Sequence, residues 1–222
     1  MSDATPRVGR LGEHVWLVEL GSTIDEDVNN RVLTLASSIR YAAWPGVRDV
    51  VPAFTSLAVH VSPGADHASI ERLLDELLAR PLGSGLPAES REIEIPVRYG
   101  GADGPDLDEV AALTGRSPQD VVERHAAQTY RVFMLGFLPG FAYLGTVPPE
   151  IQVPRRSSPR TRVAAGSVGL ANAQTGVYPR ESPGGWQIIG RTSRTLFDAS
   201  AAVPSLLAPG DRVRFVPEDH AG

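Results

Sequence analysis

The residues best suited to binding a ligand lie in three segments in the second half of the chain. The first segment, residues 136–145, reads GFLPGFAYLG. Proline stiffens such a loop and glycine lets it turn tightly, so the segment can present Phe137, Phe141 and Tyr143 on a surface or on a pocket wall. Aromatic rings also fill protein cores, so a plug at one end of a barrel is the alternative interpretation.

The second segment is the arginine loop, residues 154–162, which reads PRRSSPRTR. It places Arg155, Arg156, Arg160 and Arg162 close together with no acidic residue among them. The planar guanidinium group suits recognition of a carboxylate or phosphate. The alternatives are a solvated basic loop, or arginines that pair with the acidic first half of the chain.

The third segment, residues 165–191, contains six glycines. Glycine at this density lets the backbone approach a ligand closely and present N–H groups to an anion, although the turns of a compact barrel would also explain it. Gln174, Tyr178, Ser182 and Trp186 could supply hydrogen bonds and one apolar wall. The segment has neither the GxGxxG pattern nor the P-loop pattern of nucleotide-binding proteins.

The sequence does not indicate a complete catalytic centre. It contains no cysteine and no lysine, which excludes thiolate nucleophiles, zinc–thiolate sites and lysine Schiff bases. No GxSxG or HExxH pattern occurs, so neither a serine-hydrolase elbow nor a metal site is expected. His125 lies near the end of a predicted helix, where the dipole favours the protonated imidazole. It is either a general acid or, as is commoner, a helix-end partner.

The composition is that of a globular protein. The chain has 222 residues, of which 42% are hydrophobic, and a formal net charge of −5. This negative charge argues against binding to nucleic acid or to an anionic membrane. No apolar run approaches the roughly 20 residues of a membrane span, and the first residues lack a signal peptide's apolar core. We therefore expect a cytoplasmic protein.

The elements of the first half follow the β-α-β-β-α-β order of a ferredoxin-like domain. Ser22 or Thr23 is expected to cap the first helix, which ends near Tyr41. A second helix is expected at 67–79, and residues 81–90 read as a linker. The predicted strands are 14–20, 47–51, 56–61 and 92–97.

The second half is predicted to contain two short helices, 106–113 and 117–128, followed by many short strands. Short strands separated by glycine and proline turns are typical of a barrel or a closed sandwich. The clearest strand candidates are 131–135, 163–165, 186–189, 195–197 and 211–216.

Several long motifs resemble those of a known family. They are FMLGFLPGFAYLG at 133–145, the run from PRRSSPRTR to GWQIIGRT at 154–192, PVRYGG at 96–101, GPDLDEVA at 104–111 and VVERH at 121–125. Together they resemble the B subunit of the bacterial ATP-dependent 5-oxoprolinase. This family is also called allophanate hydrolase subunit 1 and includes an inhibitor of a sporulation histidine kinase. The chain is also similar to one half of the carboxyltransferase domain of urea carboxylase.

The resemblance implies an α+β fold with two domains. The first, residues 1–88, would be ferredoxin-like, and the second, residues 89–222, a cyclophilin-like β-barrel. It further implies a subunit that is inactive alone and assembles with two other proteins. One resembles the C subunit of the enzyme and is a paralogue with a similar barrel, and the other resembles its A subunit. That complex would use ATP to hydrolyse 5-oxo-L-proline to L-glutamate.

Two alternative functions follow from the same resemblance. One is a subunit of an allophanate hydrolase or urea carboxylase-type carboxyltransferase assembly, in which another protein would carry biotin because this chain has no lysine. The other is a binding module that inhibits a histidine kinase.

The resemblance also transfers candidate ligand-binding residues onto this chain, with His125 as a further, catalytic candidate. As members of a surface loop, Arg160 and Arg162 are expected to add little to stability. The transferred residues are Phe137, Pro139, Gly140, Phe141, Tyr143, Arg155, Arg160, Arg162, Gln174, Tyr178, Ser182, Gly184, Gly185 and Trp186. Leu138, Ala142 and Arg180 depart from the residues usual in the family.

Overall fold

A computed structural model describes residues 5–80 and 90–218 of the chain. The chain divides into two compact units, residues 1–90 and 91–222. The boundary expected from the sequence, between residues 88 and 89, lies at the end of the segment 81–89, outside the described residues. None of the helices in the described ranges combines the length and apolar character needed to cross a membrane.

The first unit is a four-stranded antiparallel sheet with two helices. The strands lie in the order β1-β2-β4-β3. Side chains alternate along β4 so that Leu57, Val59 and Val61 are buried, and the helices cover them with residues spaced three and four apart, such as Leu35 and Ile39. The elements are β1 (Arg7–Arg10), β2 (Val15–Glu19), α1 (Glu26–Ala42), β3 (Val47–Pro52), β4 (Ser56–Val61) and α2 (His67–Leu78).

The predicted ferredoxin-like sheet is confirmed, but its fourth strand comes from a different part of the chain. The run 92–97, predicted to complete the sheet after α2, instead forms a strand of the second unit. The fourth strand of the sheet is β1, which pairs with β2 in an antiparallel register. Arg7 lies opposite Glu19 at one end of this pairing, and Arg10 lies opposite Trp16 at the other. The sequence of β1 is RVGR, which is too short and too polar to show an alternating pattern.

The second unit is built on a closed barrel of seven strands in the order β10-β7-β6-β13-β5-β12-β9. The pair β5 and β13 is parallel and the other pairs are antiparallel. Strands β8 and β11 form a separate two-stranded sheet. The elements are β5 (Glu92–Tyr99), α3 (Leu107–Thr114), α4 (Pro118–Ala126), β6 (Thr129–Leu135), β7 (Ala142–Gly145), β8 (Arg160–Val163), β9 (Ser167–Ala171), β10 (Gln174–Val177), β11 (Ser182–Gly184), β12 (Gln187–Arg191) and β13 (Arg212–Pro217).

The predicted barrel is confirmed, and so are both short helices. Ser117 caps α4 by accepting a hydrogen bond from the N–H of Asp120 at 3.1 Å. The predicted strand at 195–197 is wrong, because this segment makes only an isolated bridge from Phe197 to Ser205. The strand predicted at 163–165 is shifted, since β8 ends at Val163. Strands β7, β9 and β10 were missed because each contains a glycine, which resembles a turn signal.

The N-cap of α1 also differs from the expectation. The carboxylate of Asp25, and neither Ser22 nor Thr23, accepts hydrogen bonds from the N–H groups of Asp27 at 2.8 Å and Val28 at 3.2 Å. A carboxylate at this position satisfies free N–H groups and also interacts favourably with the positive end of the helix.

We expect Asp25→Ala to lower the stability of the first unit by about 1 kcal/mol, since it removes this cap. Thr23→Ala is the matched control and should change stability by less than about 0.5 kcal/mol. The test is urea unfolding followed by the fluorescence of Trp16 and Trp44, which belong to the first unit, in a Trp186→Phe background. Equal effects of the two alanine variants would contradict the assignment.

Candidate functional site

A pocket of about 290 Å³ opens on the second unit. Among the described residues, its lining consists of aromatic rings, two arginines, glycines and prolines, with no carboxylate and no histidine. Apolar walls with a few polar groups are typical of small-molecule sites. The lining residues are Phe137, Phe141, Tyr143, Arg155, Arg156, Pro159, Tyr178, Pro183, Gly184, Gly185 and Trp186.

Phe141 holds the aromatic wall together. Its ring centroid lies 5.0 Å from that of Tyr143, 5.3 Å from that of Tyr178 and 5.4 Å from that of Trp186, all in edge-to-face arrangements. This geometry places the positive edge of one ring against the negative face of the next. Because Phe141, Tyr178 and Trp186 are buried, the wall is formed before any ligand arrives.

Phe137 differs from the other rings because it is 60% exposed and has a φ of +67°. A bulky residue in the left-handed region costs on the order of 1 kcal/mol or more. Its ring still contacts the wall edge-on, 5.5 Å from Phe141 and 6.4 Å from Tyr178. An exposed aromatic ring held in a strained backbone at a pocket is a feature of ligand sites rather than of cores.

Tyr178 packs against the backbone at Gly184, where a Cβ atom would lie 2.3 Å from the phenol oxygen. Burial raises the pKa of Tyr178, although a hydrogen bond with the backbone of Trp186 and the charge of Arg155 oppose the shift. Burial likewise raises the pKa of Tyr143, against the charge of Arg155. Both phenols therefore stay protonated at neutral pH, when each can donate one hydrogen bond.

The carboxylate of Asp106 anchors the arginine loop. This side chain precedes α3 and is buried, with a relative exposure of the residue of 2%. Arg160 donates to both of its oxygens, at 2.8 and 2.6 Å, and Arg156 donates to Oδ1 at 2.9 Å. The N–H of Ile188 in β12 donates to Oδ2 at 2.6 Å. One carboxylate thus joins α3, the barrel and the loop that carries the pocket arginines.

Arg160 is therefore not the low-cost surface residue that the sequence suggested, because it neutralises a buried charge. Arg162 does lie at the surface, 76% exposed in its side chain, where it pairs with Glu181 at 3.0 and 2.7 Å. Arg155 is exposed and lines the pocket. In the described ranges 5–80 and 90–218, it makes no hydrogen bond or ion pair.

Eight of the fourteen transferred residues line the pocket. They are Phe137, Phe141, Tyr143, Arg155, Tyr178, Gly184, Gly185 and Trp186. The other six lie outside the lining. Arg160 and Arg162 form ion pairs with Asp106 and Glu181. In the segment 136–145, Pro139 is exposed and Gly140 packs against Phe197. Gln174 lies in β10, and Ser182 is buried in β11.

Sequence reasoning missed Pro159 and Pro183 in the lining, and Asp106 altogether, and it named Arg156 as part of the arginine loop but not among the transferred residues. Asp106 was expected only to begin a helix. Its partners lie 50 and 54 residues further along the chain, so no local pattern connects them. The single available signal was the absence of acids within a loop of four arginines, which implies that counter-ions come from elsewhere.

His125 is not in the pocket, because it is fully buried in the barrel. Its Nε2 lies 2.9 Å from the hydroxyl of Thr175, which itself donates to the carbonyl of Gly169 at 3.1 Å. Nε2–H therefore donates to Thr175, and Nδ1 accepts from the hydroxyl of Tyr99 at 2.7 Å. Burial lowers the pKa of His125 to about 3, so the expected protonated form is wrong. This histidine is a neutral part of the core.

Across the residues that the structure describes, no three histidine, aspartate or glutamate side chains are grouped so that they could hold a metal ion.

Comparison with known proteins places the chain in a family. Residues 6–207 match the family described as carboxyltransferase domain, subdomain C and D. The chain belongs to this family. It is 42% identical to the 5-oxoprolinase B subunit of Bacillus subtilis strain 168, over 95% of this chain and 92% of that protein. It is 45% identical to the 5-oxoprolinase B subunit of Escherichia coli O157:H7, over 94% of each.

Several other proteins that are similar to this chain are larger. The crystal structure of TTHA0988 matches with a TM-score of 0.81 and 39% identity, covering 93% of this chain but only 40% of that one. The urea carboxylase of Kluyveromyces lactis shares the fold, with a TM-score of 0.79 at 19% identity over 96% of this chain and 22% of that one. The urea amidolyase of Saccharomyces cerevisiae strain S288c is 30% identical over 50% of this chain and 6% of its own length.

We expect Asp106→Asn to destabilise the second unit by about 3 kcal/mol, because it leaves two partly buried guanidinium groups without their counter-ion. Glu109→Gln is the matched control, since Glu109 is an exposed partner of Arg156 at 3.2 Å. It should cost less than about 1 kcal/mol. Urea unfolding read by the fluorescence of Trp186 measures both, and similar small losses would show that the carboxylate is not an anchor.

The buried histidine predicts a pH dependence of stability. The pKa of His125 is about 3 in the folded chain and 6.5 in the reference state, so between these values the unfolded chain binds the extra proton. Stability should fall as the pH is lowered below 6.5, by up to about 1.4 kcal/mol per pH unit. His125→Gln should flatten this slope and exposed His14→Gln should retain it. The readout is urea unfolding at several pH values, and an unchanged slope in His125→Gln would contradict the account.

Proposed function

We propose that this chain is a non-autonomous subunit of an ATP-dependent 5-oxoprolinase complex, which hydrolyses 5-oxo-L-proline to L-glutamate. The observation that carries the proposal is identity of 42% and 45% with two 5-oxoprolinase B subunits over 95% and 94% of this chain. At that similarity and coverage, both units of the fold are shared with those proteins.

The pocket geometry supports a small anionic ligand with a planar, uncharged body. Trp186 and Phe137 offer ring surfaces, and Arg155 offers a positive charge with no carboxylate nearby in the lining. 5-Oxo-L-proline has one carboxylate and one planar lactam amide, and both match these groups. The two protonated phenols can donate hydrogen bonds to an amide oxygen.

The same lining supports a subunit that cannot catalyse hydrolysis alone. Attack of water on a lactam requires a group that accepts a proton near neutral pH. The titratable residues of the lining are Arg155, Arg156, Tyr143 and Tyr178, of which the arginines remain charged and the phenols have raised pKa values. We therefore assign the base to a partner, either the C-type paralogue with a similar barrel or the A-type protein.

ATP use belongs to the assembly in this proposal. The chain has no lysine and no P-loop pattern, so it lacks the usual residues that hold a nucleotide's phosphates. Transfer of the terminal phosphoryl group of ATP to the lactam oxygen, with ADP as the leaving group, would make the ring carbon easier for water to attack. After water adds to this carbon, the ring carbon–nitrogen bond would break and phosphate would leave, which gives L-glutamate. The phosphorylated species is an anion, for which guanidinium and backbone N–H groups are suitable partners.

A second candidate function rests on the match to the urea amidolyase of Saccharomyces cerevisiae. In that case the chain would form part of a carboxyltransferase that acts on urea or a derivative, and a separate protein would carry biotin. The match spans half of this chain, so we rank this function below 5-oxoproline hydrolysis. Inhibition of a histidine kinase stays a prediction from the resemblance.

The proposal predicts glutamate release from 5-oxo-L-proline and ATP only when this chain is mixed with its A-type and C-type partners. The measurement compares the complete mixture with mixtures that lack this chain, each partner or ATP. Urea with bicarbonate and a biotinylated carrier is the parallel substrate for the second candidate.

Turnover in the mixture that lacks this chain would contradict its role as a required component. Turnover by this chain alone would contradict non-autonomy. A complex that assembles and consumes urea but not 5-oxo-L-proline would replace the first function with the second.

A further inference from the structure

The four arginines of the arginine loop differ in whether an acidic side chain pairs with them and in which one does. Arg156 and Arg160 share the buried carboxylate of Asp106, and Arg162 pairs with Glu181. Arg155 is the exception within the described residues, since it faces the pocket lining and makes no ion pair there. Of the four arginines in this loop, Arg155 is therefore the one whose charge is left to interact with a ligand in the pocket.

The anchoring of its neighbours fixes where Arg155 lies. The backbone N–H of Arg156 donates to the carbonyl of Gly185 at 2.8 Å, and its side chain reaches Asp106. The residue next to Arg155 is therefore tied both to the pocket rim and to the start of α3. This leaves Arg155 on a restrained backbone, with a guanidinium group that is still free to form two parallel hydrogen bonds.

The surroundings of Arg155 are suited to a carboxylate attached to a compact ring. Arg155 lines the same pocket as Tyr143 and Tyr178, and its charge acts to lower the pKa of both phenols. No acidic residue is present in the described part of the pocket lining to compete for this guanidinium group. Gly185 leaves room, because a Cβ there would meet Pro159 only at an ordinary distance of 3.5 Å.

We propose that Arg155 determines specificity for a carboxylate on the ligand, and that this chain by itself binds compact ring carboxylates in the aromatic pocket. The identity of the ligand as 5-oxo-L-proline rests on the proposed function. Arg155 is assigned to binding and orientation of the carboxylate. The ring lies against Trp186 and Phe137, and the phenols of Tyr143 and Tyr178 face its amide.

The test is calorimetric titration of the full chain with three probes. These are 5-oxo-L-proline, cyclopentanecarboxylate, which lacks the amide, and 2-pyrrolidone, which lacks the carboxylate. Arg155→Gln removes the charge, and Arg162→Gln is the matched control, since it removes an arginine of the same loop that lies outside the pocket.

Both carboxylates should bind to the unaltered chain, and 2-pyrrolidone should bind about 10-fold or more weakly than 5-oxo-L-proline. Arg155→Gln should weaken both carboxylates about 10-fold or more, in line with the loss of a charged hydrogen-bonded pair, and should leave 2-pyrrolidone unchanged. Arg162→Gln should leave all three affinities within about 3-fold, as expected of an exposed pair. In the assembled complex, Arg155→Gln should raise KM for 5-oxo-L-proline by a similar factor.

No binding of either carboxylate to the full chain, or equal losses in the two variants, would overturn the inference. The outcomes also separate it from the proposed function. Arg155-dependent binding of carboxylates without turnover in an assembled complex would retain the inference and reject the function. Turnover with a KM that Arg155→Gln does not change would retain the function and reject the inference.

Discussion

The second unit depends on one buried carboxylate. A buried ionised side chain is costly unless donors surround it, and Asp106, which precedes α3, has two arginines and one backbone N–H around it. These donors come from the arginine loop and β12, so the requirement to neutralise one charge fixes the position of segments that are far apart in sequence. That loop and the segment that leads into β12 form part of the pocket lining, so the requirement to neutralise Asp106 fixes the position of this part of the pocket.

Packed aromatic rings shape the pocket, and among the residues that the structure describes its titratable side chains are those of arginine and tyrosine. Edge-to-face packing around Phe141 and the close approach of Tyr178 to Gly184 set its shape, while Phe137 remains exposed in a strained conformation. Its polar groups are donors, either charged or protonated at neutral pH. Such a surface is suited to holding and orienting an anionic amide, whereas activation of water calls for a proton acceptor. In the proposed function this chain binds the ligand and a partner protein supplies the proton acceptor, which is why we expect partners to complete the site.

Much of the fold could be predicted because local sequence patterns indicated the helices and many of the strands. The helices showed apolar spacing and caps, and strands such as β4 alternated cleanly. The patterns failed where tertiary pairing decides the structure, as in polar β1 and in the glycine-containing β9 and β10. At the site, the aromatic and glycine motifs predicted most of the pocket wall. The sequence could not show which arginine stays without an ion pair, because Asp106 and Glu181 contact the other arginines only in the folded chain. It could not show that His125 is buried and neutral, because its hydrogen-bond partners Tyr99 and Thr175 also come from distant parts of the chain.

The most direct test of the central claim is amide hydrogen exchange on Asp106→Asn, compared with Glu109→Gln. If the carboxylate of Asp106 holds the loop to the barrel, exchange should become faster in residues 154–163 and 182–188 and stay unchanged in residues 5–80, which form a separate unit. The control variant should match the unaltered chain throughout. Unchanged protection of residues 154–163 in Asp106→Asn would show that the loop holds its position without the carboxylate, and would contradict this account.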